Sequence, residues 1–206
     1  MLQQISEQLQ AGKAKIVKEL VRQAIDQGYT PQDILENGLL HGMGIIGEKF
    51  KKNEVFVPEV LVAARAMSQG TAVLKPLLVG ENVKPAGKAC IGTIKGDLHD
   101  IGKNLVAMMI ESAGFEVVDL GVDVPVEKFV AAAQEEGVKI VACSALLTTT
   151  MPALEATVAA LKAAGKDYKI MVGGAPITPE FADKVGADAH TPDAATAAKK
   201  AKELVA

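Results

Sequence analysis

Lys95-Gly96-Asp97-Leu98-His99-Asp100-Ile101-Gly102-Lys103-Asn104 is the stretch on which the reading of the fold turns. Before it stands an apolar run, Ala89-Cys90-Ile91-Gly92-Thr93-Ile94, which reads as a buried strand. After it comes Leu105-Val106-Ala107-Met108-Met109-Ile110, which reads as a helix. The stretch is therefore a loop at the carboxyl end of a strand, where open α/β sheets place their ligands. His99 has acidic neighbours at one and two residues. An imidazole that ligates a metal through one nitrogen needs a partner on the other to fix its tautomer, and Asp97 can be that partner. Gly96 and Gly102 let the backbone turn tightly and approach something large. An ordinary βα loop with a solvated histidine fits the same ten residues. Two other readings fail on spacing. A phosphate-binding P-loop needs four residues between its glycines and then Lys-Ser/Thr, whereas five separate Gly96 from Gly102 and Asn104 follows Lys103. A structural zinc site needs about four nitrogen or sulfur ligands, and the two cysteines and three histidines of the chain show no such spacing.

From Lys88 onward, short apolar runs alternate with helical stretches. Strands are expected near 88–94, 116–120, 138–143, 169–173 and 187–190, and helices near 101–113, 125–136, 150–164, 178–185 and 193–205. Five such units make an open parallel sheet covered on both faces. Gly114, Gly137, Gly165 and Gly186 each follow a helix, where a left-handed cap belongs.

Upstream, residues 1 to about 80 read as helix. Ile5, Leu9, Ile16, Leu20, Val21 and Ala24 recur at three- and four-residue steps on one face, and Gly28 ends that region. Thr30-Pro31-Gln32-Asp33 opens a new helix, with a Thr cap, Pro in the first turn and an acid three residues after the cap. Gly42, Gly44 and Gly47 are unusual inside it, each costing up to ~1 kcal/mol relative to Ala. Close helix packing or close approach to a bulky ligand would account for them. Val55-Phe56-Val57-Pro58-Glu59-Val60 opens a last helix to about Leu78, and the connections are short enough for an antiparallel four-helix bundle. The polar segment 81–87, with Pro85 and Gly87, reads as the linker between domains.

The 206 residues suffice for one large or two modest domains. With 49% hydrophobic residues and no Trp, the core is aliphatic. A net charge of -3 gives no case for nucleic acid or an anionic membrane as partner. The apolar runs are too short to span a bilayer, and Met1-Leu2-Gln3-Gln4 does not begin a signal peptide. Cys90 and Cys143 lie in strand-like runs and read as buried small hydrophobes, which fits a reducing cytoplasm.

Two further strand ends carry small groups. Ser144-Ala145-Leu146-Leu147-Thr148-Thr149-Thr150 supplies four hydroxyls, and Gly173-Gly174 removes side chains to leave a flat slot. Together with the His99 loop they describe a deep cleft on the carboxyl edge of one sheet. Taken singly, each is equally a helix cap or a turn.

In order along the chain, Asp97-x-His99-x-x-Gly102, Ser144-x-Leu146 and Gly173-Gly174 resemble the fingerprint of cobalamin-binding domains that hold the cofactor base-off with histidine as lower ligand. The helical region before them resembles the cap module that covers the upper face of the corrin. The resemblance spans nearly the whole chain. It is closest to the small corrinoid proteins of three-component methyltransferase systems in methanogens and acetogens, and methionine synthase carries the same two modules in a longer chain. The implied fold is α/β: a four-helix-bundle cap with its linker over 1–86, then a five-stranded parallel, flavodoxin- or Rossmann-like cobalamin-binding domain over 87–206.

The resemblance implies a role for each matching residue. His99 binds cobalt from below, Asp97 bonds the far imidazole nitrogen, and Thr150 stands where the third hydroxyl of the relay, often Ser, lies. Gly102, Ser144, Leu146, Thr148, Gly173 and Gly174 line the slot for the displaced nucleotide tail, and Asp100 and Ile101 are counted with the cofactor-binding residues. In the cap, Phe50 and Val57 match the bulky pair that shields the upper axial methyl, with Val60 one turn further on. Val57 is smaller than the Leu of methionine synthase, so looser shielding is expected. Ala189-His190-Thr191-Pro192-Asp193-Ala194 resembles a segment that usually has Tyr at position 190, and His190 itself reads as an exposed loop histidine.

The implied cofactor is cobalamin or a related corrinoid, cycling between methylcobalamin and Co(I). The implied partners are a substrate:corrinoid methyltransferase, a corrinoid:coenzyme M or corrinoid:tetrahydrofolate methyltransferase, and a reductive activase. Imidazole suits the methylated and oxidised metal, whereas Co(I) prefers no axial ligand. The His99–Asp97–Thr150 chain can therefore take up a proton when cobalt lets go. With no substrate pocket or acid–base set of its own, the chain reads as a carrier subunit rather than a complete enzyme. Methylamines, methanol, betaines and aryl methyl ethers are served by similar carriers, so the partner enzyme sets the donor. The alternative is a cobalamin-dependent sensor or regulatory module. Light-sensing repressors of that kind add an N-terminal DNA-binding domain, a cap Trp and a cap histidine, whereas here only His41 lies in the cap. A flavodoxin-like module for another ligand fits the sheet pattern alone, and a mutase subunit lacks the helical cap.

Overall fold

The computed structural model describes residues 1–78 and 86–206, apart from the side chains of Lys75 and Leu78. Residues 81–85 of the expected linker lie outside the described residues. The chain divides into two compact units, Met1–Lys84 and Pro85–Ala206.

The first unit is helical. Helices α1 (Leu2–Gln10) and α2 (Ala14–Asp26) are separated by a turn in which Gly12 takes a φ of 68°. The single helix expected up to Gly28 is therefore broken. The reason is tertiary: a Cβ on Gly12 would stand 2.5 Å from the Val62 side chain. The break also resets the helix phase, so Val17 is buried while Ile16 is exposed and Leu20 only half-buried. Ile5, Leu9, Val21 and Ala24 face the interior as their spacing predicts. Thr30 Oγ1 accepts the Asp33 amide at 3.1 Å, and Pro31 opens the single turn α3 (Pro31–Asp33). This turn runs on into a π-helical segment, Ile34–Leu40, and then α4 (His41–Lys51). Helix α5 (Val57–Leu78) starts with the Phe56 amide donating to Glu59 Oε2 at 2.9 Å and Pro58 in its first turn.

Close packing explains Gly42, where a Cβ would lie 3.0 Å from Ser6 Cα and O, but not Gly44, which has nothing within 4 Å. Gly44→Ala should therefore stabilise the helical unit by about 0.5–1 kcal/mol. Urea unfolding measures this, and a destabilised variant would reveal a close neighbour.

The second unit alternates strands β1 (Lys88–Thr93), β2 (Glu116–Asp119), β3 (Val138–Ser144), β4 (Lys169–Gly173) and β5 (Ala189–His190) with helices α6 (Ile101–Ser112), α7 (Val126–Ala133), α8 (Met151–Ala163), α9 (Pro179–Val185) and α10 (Ala194–Val205). The five strands are all parallel, in the order β2-β1-β3-β4-β5. Elements fall where the alternation of apolar runs placed them, except that β5 is only two residues long. Gly114, Gly137, Gly165 and Gly186 all have positive φ, between 65° and 98°. With right-handed crossovers this order puts α6 and α10 on one face and α7, α8 and α9 on the other, and α10 packs beside α6 and α7 beside α8. Five of the six residues of β1 are buried, as a strand covered on both faces requires. Cys90 and Cys143 are free and buried in this core. Burial raises both thiols, Cys90 to about 11 and Cys143 to about 12. No described helix is long and apolar enough to cross a membrane.

The order in which strands are added to the sheet reverses between β1 and β3, the position outside whose carboxyl ends open α/β sheets bind their ligands. Thr93, Ser144 and Gly173 stand in register across β1, β3 and β4, so the loops that follow leave the edge side by side.

Candidate functional site

The loop after β1 turns at once. The Asp97 amide donates to Ile94 O at 3.2 Å, and Gly96 sits at a φ of 84°, which glycine adopts without strain. The turn sends the Asp97 side chain inward, where it is completely buried. Its carboxylate gathers five donors. Oδ1 accepts the His99 amide at 3.1 Å and lies 2.7 Å from His99 Nδ1. Oδ2 faces the amides of Leu146 (2.7 Å) and Leu147 (3.2 Å) and the Thr150 hydroxyl (3.1 Å). Burial alone would push this carboxyl up. The Leu146 amide, the ring and amide of His99 and the Thr150 hydroxyl outweigh it and hold Asp97 well below the usual carboxylate range.

An ionised Asp97 can only accept, so Nδ1 carries the imidazole proton and the neutral ring keeps its lone pair on Nε2. Nε2 has no hydrogen-bond partner among the described residues, and the His99 side chain is 50% exposed. Thr93 Oγ1 fixes the loop further by donating to the His99 carbonyl at 2.8 Å.

The loop after β3 supplies the other half of the cluster. A 3-10 turn, Thr148–Thr150, brings the Thr150 hydroxyl back to Asp97, and the Leu147 carbonyl lies 2.9 Å from the same oxygen. Ser144 is half-buried, and its carbonyl accepts the Ile94 amide at 3.0 Å. Thr148 is exposed and outside the Asp97 cluster. After β4, a Cβ on Gly173 would stand 2.6 Å from Thr191 O, and one on Gly174, at a φ of 131°, would overlap the Ala145 carbonyl oxygen. These walls are backbone, and only glycine fits them. His190 is not an exposed loop histidine: it is half-buried in β5, and its Nε2 lies 2.9 Å from Ile177 O. It ties the turn after Gly174 to the sheet.

The same edge presents apolar surface. Leu98 is 71% and Ile101 80% exposed, and Leu146 and Leu147 are exposed beside them in the Asp97 cluster. Gly102 opens the first turn of α6 with nothing within 4 Å of a Cβ position. Asp100 is exposed, and among the described residues it bonds within its own helix turn, to Asn104. In the helical unit, Phe50 is half-buried and Val57 partly exposed. Val60 is fully buried, so its side chain belongs to the packed interior and supports that surface rather than lining it. Reasoning on the sequence missed Thr93, Lys103, Asp119 and Asp123. Thr93 is the one hydroxyl in an apolar run, a signal that could have marked it.

Among the described residues, no three His, Cys, Asp or Glu side chains converge as a metal-binding group. A metal held inside a macrocycle needs only one nitrogen from the protein, and His99 Nε2 offers it. A flat macrocycle needs exposed apolar surface near that nitrogen, and Leu98 and Ile101, within two residues of His99, are exposed, with nothing near the Cβ position of Gly102.

Residues 87–200 match the B12 binding domain family, and residues 1–75 match a second model of a B12 binding domain. The chain thus belongs to the B12-binding family, whose cofactor is a corrinoid. Within that class it stands with the corrinoid proteins of methyltransferase systems. Dimethylamine corrinoid protein 1 of Methanosarcina mazei is 42% identical over 208 residues, covering 100% of this chain and 96% of that protein. The crystal structure of the methanol:cobalamin methyltransferase complex from Methanosarcina barkeri contains a chain with a TM-score of 0.86 and 32% identity, covering 98% of this chain and 78% of that one. A cobalamin-binding protein from Desulfitobacterium hafniense has a TM-score of 0.84 at 32% identity, covering 100% and 99%.

Proposed function

We propose that the protein is a methyl carrier that holds its corrinoid base-off and histidine-on through His99. The carrying observation is the Asp97–His99 pair, which leaves Nε2 unpartnered and its lone pair outward. Cobalt, when the corrinoid is bound, supplies the chemistry of accepting and giving up a methyl group. The chain's own residues do the rest. Asp97 fixes the ring and its tautomer. When Nε2 is free it can take a proton, and the resulting imidazolium faces a carboxylate that the Leu146 amide and the Thr150 hydroxyl keep ionised. Thr150 completes the relay, and Ser144, Gly173 and Gly174 take the displaced tail. Phe50 and Val57, on the helical unit, are assigned to the shield of the opposite face of the corrin.

The chain passes its methyl group between two partners. A substrate:corrinoid methyltransferase loads it, with a methylated amine as the favoured donor class given the dimethylamine corrinoid relative. A second methyltransferase delivers it to coenzyme M or tetrahydrofolate, and a reductive activase rescues oxidised cobalt. The test is reconstitution with cobalamin, wild type beside His99→Ala. Wild type should bind stoichiometrically and show imidazole-nitrogen coupling in its Co(II) EPR signal, and the variant should lose that coupling. A well-folded wild type that takes up no corrinoid would sink the proposal.

A further inference from the structure

We infer that the segment 119–124, from the last residue of β2 toward α7, is a bracket that positions the His99 loop from both ends, with Asp123 and the Lys103–Asp119 pair as its two grips. This rests on His99 being the cobalt ligand and adds residues that lie outside the Asp97–His99–Thr150 cluster. Asp123 is one of two described non-glycine residues with positive φ, at 51°. Its side chain and backbone hold the start of the loop together. Oδ1 accepts the Gly96 amide at 2.8 Å, Oδ2 accepts Lys95 Nζ at 3.1 Å, and the Asp123 amide donates to the Asp97 carbonyl at 2.9 Å. One residue thus grips the peptide groups on both sides of the Gly96–Asp97 pair.

The other grip is at the end of the loop. Lys103 is only 4% exposed, and its Nζ lies 2.6 and 2.5 Å from the two oxygens of Asp119. Asp119 Oδ1 also accepts the Gly121 amide at 2.9 Å, so the segment that holds the lysine is itself held. Between the grips, the Thr93 amide donates to Gly121 O and the Val124 amide to Thr93 O, both at 3.0 Å. Thr93 is also the residue whose hydroxyl holds the His99 carbonyl. Asp97 sets how the imidazole is rotated, and the bracket sets where its backbone stands. A ligand nitrogen must be placed in both respects to meet a metal fixed in a macrocycle.

Asp123→Gly separates the side chain from the fold, because glycine takes the left-handed backbone without strain. Asp123→Asn keeps an oxygen acceptor for the Gly96 amide and tolerates the same backbone. Both are loaded with cobalamin beside wild type, and the fraction of Co(II) carrying imidazole-nitrogen coupling is read at one pH, with circular dichroism melts as the folding control. In Asp123→Gly the ratio of histidine-on to histidine-off cobalt should fall roughly tenfold, the weight of one charge-assisted hydrogen bond. Asp123→Asn, which keeps the acceptor for the Gly96 amide but not the charge, should recover about half of the lost free energy, and Lys103→Met should reproduce the loss from the other end. Wild-type coupling left unchanged in Asp123→Gly overturns the bracket and leaves the carrier reading standing. No coupling in wild type overturns both.

Discussion

Asp97→Ala is expected to destabilise the α/β unit by about 3–5 kcal/mol, even without cofactor. The carboxylate is fully buried and is the shared acceptor of two loops. Its removal strands the amides of Leu146 and Leu147 at the edge of the core, leaves the Thr150 hydroxyl only the Leu147 carbonyl, and frees the His99 ring. Asp97→Asn should cost less, because one amide oxygen still accepts while the NH2 group opposes the remaining donors. The effect depends on pH with a definite sign. The folded Asp97 titrates below its unfolded value near 4, so its contribution is fully present above that value and is lost as pH falls toward the folded value. Urea midpoints of wild type and Asp97→Ala should therefore differ widely at pH 7 and converge in acid. Equal midpoints at pH 7 would mean that the carboxylate does not hold the two loops together.

Gly174→Ala should be at least as damaging, at more than about 3 kcal/mol. The added Cβ meets backbone rather than the end of a flexible side chain: it overlaps the Ala145 carbonyl, and the φ of 131° is itself unfavourable for alanine. Relief requires β3 and β4 to part at their carboxyl ends, where the Ala145 amide donates to Gly173 O at 3.1 Å. Gly102→Ala is the control, because nothing stands within 4 Å of its Cβ position. Thermal melts of the two variants should separate clearly. A Gly174→Ala protein that melts with Gly102→Ala would show that the contact between Gly174 and the Ala145 carbonyl has slack.

The α/β half was legible because its signals are local. Buried parallel strands are short apolar runs, and helix ends carry glycines whose positive φ the backbone demands. His99 and Asp97 were legible for the same reason, being two residues apart in one loop. What escaped depends on partners far along the chain. The break at Gly12 is set by Val62, and the π-helical run over Ile34–Leu40 has no local mark that separates it from an α-helix. Lys103, in a helix, reads as a solvated charge until β2 brings Asp119 to it. His190 looks like a surface residue until its strand pairs with β4 and its ring meets Ile177. Val60 carries a shielding residue's spacing and a core residue's burial.

The two cysteines bear on a hazard peculiar to the proposed work. Thiols are the natural destination of an activated methyl group, and the thiolate is the form that attacks. A carrier with a reactive thiolate of its own could alkylate itself. Cys90 and Cys143 are buried, and burial keeps both protonated at any physiological pH. For the proposed carrier with a thiol as acceptor, neither cysteine then competes with that acceptor as a thiolate.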